Sequence, residues 1–192
     1  MGLRRGFKTE SNGLVREVRK ELGVGLFERL DPMALANHLG VPVMGLSQLT
    51  LLAPGVSYFL EVEKDAFSAV TVFYGSHRTI VHNDSHLPPR QNSNLAHELA
   101  HAVLLHKPSI ALDDSGCRYW NQDIEDEATW LGAALLVPEE MTLRIARGYC
   151  TKNDAAWNLG VSKAMVTFRL NATGADKRVE RERSYLRKSK SA

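Results

Sequence analysis

The amino-acid sequence predicts an α+β fold, mainly helical, with a small antiparallel sheet and a C-terminal helical segment of helix-turn-helix type. Three observations predict it. Apolar residues recur at helical spacing between recognisable caps, β-rich runs cluster around one glycine turn, and 44% hydrophobic with 24% charged residues is ordinary globular usage. A length of 192 residues suits one well-buried core with a small appendage better than two full domains.

From Ser11 to Leu22, the residues Leu14, Val15, Val18 and Leu22 line one side of a helix that Gly23 closes. Asp31 caps a second helix with Pro32 at its first position, Met33 to Leu39 continue it, and Gly40 ends it. Val41-Pro42-Val43 reads as extended. Ser57 to Val62 and Ala69 to Tyr74 are β-rich, and Gly75-Ser76 separates the second run from Thr79-Ile80-Val81 as in a hairpin. Pro88-Pro89 reads as a break, so the next helix is expected to start with Asn92 or Ser93 as its cap. A polar loop is expected over Ser115 to Gln122, then a buried helix over Ile124 to Val137 with Ile124, Ala128, Leu131 and Leu135 on one stripe. Pro138-Glu139-Glu140 starts another helix, and Asn153 to Leu159, Gly160 and Ser162 to Leu170 predict two short helices joined by a tight turn. The expected organisation is a main domain over 1–150, a helix-turn-helix-like segment over 151–175 packed on it, and a basic tail over 176–192.

Several function classes are excluded by composition. No apolar run reaches membrane-spanning length, and the basic start is followed by Thr9-Glu10-Ser11-Asn12 where a signal peptide needs an apolar core. A cytoplasmic protein is expected, with Cys117 and Cys150 as free thiols matching no zinc-ribbon spacing. The net charge of +2 is too small for the whole chain to act as a nucleic-acid binder. From Asp176 onward seven Lys/Arg face three Asp/Glu, which reads as a solvated terminal helix.

The most informative segment is His97-Glu98-Leu99-Ala100-His101. Residues i and i+4 lie about 40° apart around a helix and one turn apart along it, so both imidazoles can address one metal ion. Glu98, about 100° round from His97, stands beside that site and can serve as general base toward a water molecule activated by the metal. The flanking Leu95, Ala96, Leu99, Ala100, Ala102, Val103, Leu104 and Leu105 make this helix apolar nearly all round, hence buried. Burying two imidazoles and a carboxylate costs several kcal/mol unless they are bonded, and one zinc ion would compensate all three.

A zinc hydrolase needs a third protein ligand. The metzincin pattern fails, because the positions three and six residues after His101 are Leu104 and Lys107. His106 lies five residues after His101 and, on a continuing helix, points to a different face; it is expected to line the helix end or the cleft. The helix starting near Ile124 offers Glu125, which shares a face with Ala128, Thr129 and Gly132, whereas Glu127 lies on another. Glu125 is therefore the favoured ligand. Acidic residues in a first turn also suit the helix dipole, whatever else they do.

The motif His97-Glu98-Leu99-Ala100-His101, the trailing Leu104-Leu105-His106, and Glu125-x-Glu127-Ala128-x-x-Leu131-Gly132-Ala133-x-Leu135-Leu136-Val137-Pro138 together resemble the ImmA/IrrE metallopeptidases. The resemblance runs over about 31–174 and is strongest over 92–138. It implies a zincin-like domain, one zinc ion per chain on His97, His101 and Glu125, and cleavage of a helix-turn-helix repressor as the partner and substrate. Thr129 stands where the family has asparagine, Leu131 where it has phenylalanine and Val137 where it has methionine. Thr129 occupies the place of a residue expected to orient a zinc histidine, and threonine can still accept a hydrogen bond. As polar groups near the cleft, His106, Tyr119 and Tyr149 are candidates by residue type.

A second class of function comes from Ala155-Ala156, Leu159-Gly160-Val161 and Val166 with Arg169-Leu170, the small and apolar positions that let two helices cross closely. Lys163, Thr167, Arg169 and Asn171 would then be offered to a DNA groove, but that surface is thin and two helices packing into the core is the favoured reading. The readings are thus a site-specific cytosolic zinc endopeptidase, and a DNA- or repressor-binding module whose zinc is structural or sensory. A secreted digestive protease is disfavoured by the missing signal sequence.

Overall fold

In the computed structural model, which describes residues 2–107 and 121–189, the chain forms helices around a three-stranded sheet. Helix α1 (Phe7–Glu21) starts earlier than its apolar spacing predicts, because the fully buried Phe7 opens it after Gly6 turns the chain at φ 85°. Its Arg19 is buried and serves as a clamp. The guanidinium donates to Leu135 O at 3.1 and 2.8 Å, to Gly25 O at 2.6 Å and to Glu28 O at 3.0 Å. Burial pushes Arg19 down to about 10, so it stays charged at neutral pH. Gly13 lies within α1 with open space where a Cβ would stand. Gly13→Ala should therefore stabilise the fold by about 0.5–1 kcal/mol, seen as a rise in denaturation midpoint, through loss of unfolded-state freedom alone.

Helix α2 (Pro32–His38) is capped as predicted, with Asp31 accepting from Met33 N at 3.0 Å. Strand β1 (Val43–Gly45) follows. The run 57–62, read as a strand, is instead the short helix α3 (Ser57–Glu61). A distant side chain meets this region: Asn83 Nδ2 lies 2.9, 3.1 and 3.2 Å from Phe59 O, Lys64 O and Phe67 O, its two N–H groups shared among a carbonyl of α3 and two of the segment that follows.

The hairpin of β2 (Ala69–Tyr74) and β3 (His77–His82) is antiparallel, with Val70 opposite Val81 and Tyr74 opposite His77. β1 lies on the other side of β3 and runs parallel to it, Val43 opposite Ile80, so the order is β1-β3-β2 and the sheet is mixed rather than wholly antiparallel. Parallel pairing needs a long connection, here the stretch carrying α3 followed by β2 and the hairpin turn.

Helix α4 (Pro88–Val103) begins at the proline pair read as a break, several residues before the expected cap. Proline fits a helix's first turn because its missing N–H would be unpaired there anyway. Asn92 is thus inside the helix, buried, and donates to Gly160 O at 2.8 Å. Helix α5 (Gln122–Leu136) starts under an Asn121 cap and packs along α4. The two backbones touch at Gly132: a Cβ there would lie 2.8 Å from Ala96 O and 3.0 Å from His97 Cα.

After Pro138 come α6 (Glu139–Ala146), α7 (Lys152–Leu159) with a Thr151/Asp154 capping box, α8 (Lys163–Thr173) capped by Ser162, and α9 (Ala175–Ser189). Gly160 at φ 66° makes the turn between α7 and α8. Val166, Arg169 and Leu170 form the buried stripe of α8. Arg169 is therefore not offered to a groove: its Nε donates to Val137 O at 3.1 Å, its guanidinium lies over Trp130, and burial pushes it down to about 10. Lys163 is exposed and Thr167 half-buried. α9 lies against α6 and buries only Ala175 and Val179. Cys150 is a free, half-buried thiol; Cys117 and residues 115–120 of the expected loop lie outside the described residues. Among the described residues no helix is long and apolar enough to cross a membrane.

Candidate metal centre

His97 and His101 project from one face of α4 toward Glu125 in the first turn of α5. Glu125 Oε2 is 3.1 Å from His97 Nε2 and 3.6 Å from His101 Nε2, and the two imidazole nitrogens are 3.3 Å apart. A tetrahedral ion bonded at about 2.0–2.1 Å holds its ligand atoms about 3.3–3.4 Å from one another. The three atoms thus already form one face of such a tetrahedron. Two imidazoles and a carboxylate are also a donor set that suits a first-row divalent ion. Interaction with His101 and His97 outweighs burial and brings the Glu125 carboxyl down to about 2, which keeps it in the ionised form a ligand needs.

This convergence depends on helix spacing. Gly132 lies seven residues after Glu125 on the same face of α5, and the missing side chain lets α5 approach α4 beside His97 itself. Glu127, on another face, is turned away from the trio and pairs with Arg4 Nε at 2.9 Å.

Glu98 stands next to the trio without joining it. Its Oε2 accepts a 2.5 Å hydrogen bond from Thr71 Oγ1 on β2, a strand at the sheet edge. Thr71 is the site residue that sequence reasoning missed, since only the packing of the sheet on α4 brings it there. The alternating pattern of β2 does mark Thr71 as sharing a face with Ala69 and Phe73, but not which helix that face meets.

The far sides of the ligand rings also meet polar groups. His97 Nδ1 lies 3.5 Å from Thr129 Oγ1, at the limit of a hydrogen bond. His101 Nδ1 lies 2.9 Å from His106 Nδ1. His106 lies at the helix end, as the sequence reading expects, but not facing away from His101. α4 ends at Val103, Leu105 adopts the left-handed conformation at φ 53°, and His106 N donates back to His101 O at 3.0 Å. This reversal returns His106 to its neighbour's ring. Burial and the adjacent His101 hold His106 below the ordinary histidine range, against the opposing pull of Glu127. Tyr119 lies outside the described residues, and Tyr149 follows α6 with its side chain exposed.

A structural metal site closes its coordination with four protein ligands, whereas among the described residues three donors come together, with Glu98 beside them. That combination, carried on a helix pair under a small sheet, is one that could hold a metal ion beside a carboxylate base, as an HExxH metallohydrolase requires. Comparison with known families places it further: residues 54–171 match the IrrE N-terminal-like domain, a peptidase family, and the chain belongs to that family. The matched region starts ahead of α3 and ends in α8, so it contains both site helices and the strand carrying Thr71. A comparison with curated proteins finds no match.

Proposed function

We propose that the protein is a cytoplasmic zinc-dependent endopeptidase that cleaves a specific transcriptional regulator, a helix-turn-helix repressor being the favoured substrate. The observation that carries the peptidase reading is Glu98, held by Thr71 beside a preformed trio of ligand atoms. Zinc suits the donor set and its spacing; when bound it supplies a Lewis acid for the scissile carbonyl and acidifies a water molecule. His97, His101 and Glu125 would hold it. Glu98 takes the proton of the attacking water and passes it to the leaving amine. Thr71, donating to one oxygen of that carboxylate, orients it. Support for a repressor substrate comes from the motif resemblance described above, and the family match supports the peptidase class.

Co-expression with a neighbouring regulator gene tests activity and substrate together. The regulator should disappear with the wild-type protein and persist with Glu98→Gln. Equal loss with both proteins would remove proteolysis from the account. A second reading, a DNA- or repressor-binding module with a structural or sensory metal, draws on the capped α7–α8 pair and its exposed Lys163. The burial of Arg169 leaves that surface poor in charge. DNA binding that survives Glu98→Gln, measured by gel shift, distinguishes this reading.

A further inference from the structure

We propose that His106 is a positioning residue for His101, and that Glu127 and Arg4 hold it in place. The inference rests on the reading of His97, His101 and Glu125 as metal ligands. A His101 ring offering Nε2 to a metal carries its proton on Nδ1. That N–H points at His106 Nδ1, 2.9 Å away, so His106 accepts there and bears its own proton on Nε2. His106 Nε2 faces Glu127 Oε2 at 3.6 Å, too far for a hydrogen bond but close enough for the carboxylate to fix the ring's polarity. Glu127 is in turn held by Arg4, and Arg4 by Glu10. The two histidine N–H groups point outward from the metal-facing ring, and the Glu127 carboxylate faces the second of them on one side and the Arg4 N–H on the other.

The backbone shows that the arrangement is built. A leucine in the left-handed region costs about 1–2 kcal/mol relative to an ordinary conformation, and Leu105 is exposed, so burial of its side chain does not compensate. Such a conformation persists where its surroundings hold it. Here the bonds Leu105 N to Ala102 O and His106 N to His101 O close the helix end, and the His106 ring lands on His101 as a result. His106 and Glu127 are both largely buried, at 12% and 13% side-chain exposure, so the contact between them is little screened by water.

The test uses the full chain and two probes, Zn²⁺ in competition with a chromophoric chelator and the visible spectrum of bound Co²⁺. His106→Leu should weaken zinc binding by about 10–100-fold and shift the cobalt bands, because His101 loses its orientation. His106→Asn, whose Oδ1 can stand where Nδ1 does, should recover most of the affinity. Arg4→Met, which frees Glu127, should give a smaller loss. Wild-type affinity and an unchanged cobalt spectrum in His106→Leu, with His97→Ala empty, would overturn the relay. Retention of metal by His97→Ala would overturn the metal-centre reading itself, and the relay with it. Should His106→Leu fail to fold by thermal melt, Arg4→Met decides: a measurable loss supports the relay and wild-type binding overturns it.

Discussion

Glu98→Gln should leave about one metal ion per chain and lower peptide hydrolysis by about 10²–10⁴-fold, the range for removal of a general acid–base group. The two halves of this result have separate causes. Glu98 stands outside the trio of ligand atoms, so the amide leaves the donors in place. The amide cannot take a proton from water, so the chemical step loses its base. His97→Ala and Glu125→Ala should do the reverse and empty the site, because each removes one of three donors. Metal analysis of the purified variants beside a peptidase assay separates the two groups. A Glu98→Gln protein without metal would make Glu98 a ligand, and full metal retention in Glu125→Ala would sink the assignment of the third donor.

The second large effect is expected at a residue that touches no metal. Gly132→Ala gains about 0.5–1 kcal/mol of helix preference but drives a methyl into Ala96 O and His97 Cα. Both neighbours are backbone, so neither can rotate away. Overpacking of this kind costs about 1–3 kcal/mol, and a net loss of about 1–2 kcal/mol should appear as a melting temperature lower by several degrees. The larger consequence is at the site. Pushing α5 away from α4 moves Glu125 from both imidazoles together, and metal affinity should fall by about tenfold or more. Gly13→Ala provides the contrast, since the same substitution in open space should raise stability without touching affinity. A Gly132→Ala protein with wild-type melting and wild-type metal binding would contradict the close contact of the two helices.

The features legible in the sequence are those whose causes are local. Asp31-Pro32 and Ser162 sit at helix starts because a short polar side chain pairs an otherwise free backbone N–H, and that depends only on neighbours. The hairpin around Gly75 is equally local. Glu125 could be preferred to Glu127 because helical geometry puts it on the same face as Gly132, although the facing helix was not known. Most misread features involve distant parts of the chain. The helix 57–61 is met by Asn83 from far along the chain, and β1 is parallel to β3 because the chain reverses twice between them, before β2 and at the hairpin. Arg169 looked available because charge usually marks a solvent face, yet it bonds to Val137 O in the interior. The facing of His106 was misread by extending the helix three residues past Val103, a local cause, and the leucine that turns the chain there carries none of the usual glycine signal.

The contact between α4 and α5 at Gly132 also bears on how folding relates to the ion. In small zinc modules the ligands come together only when metal arrives, and the binding energy is spent on ordering the chain. Here two packed helices, with Leu99, Leu131 and Leu135 fully buried in the same core, hold the three donor atoms at their spacing. The entropy of bringing the donors together is met by hydrophobic burial along the helix pair. Occupancy of the site and stability of the fold are therefore largely separable in this chain, so that a weak or exchangeable ion would be compatible with a rigid scaffold.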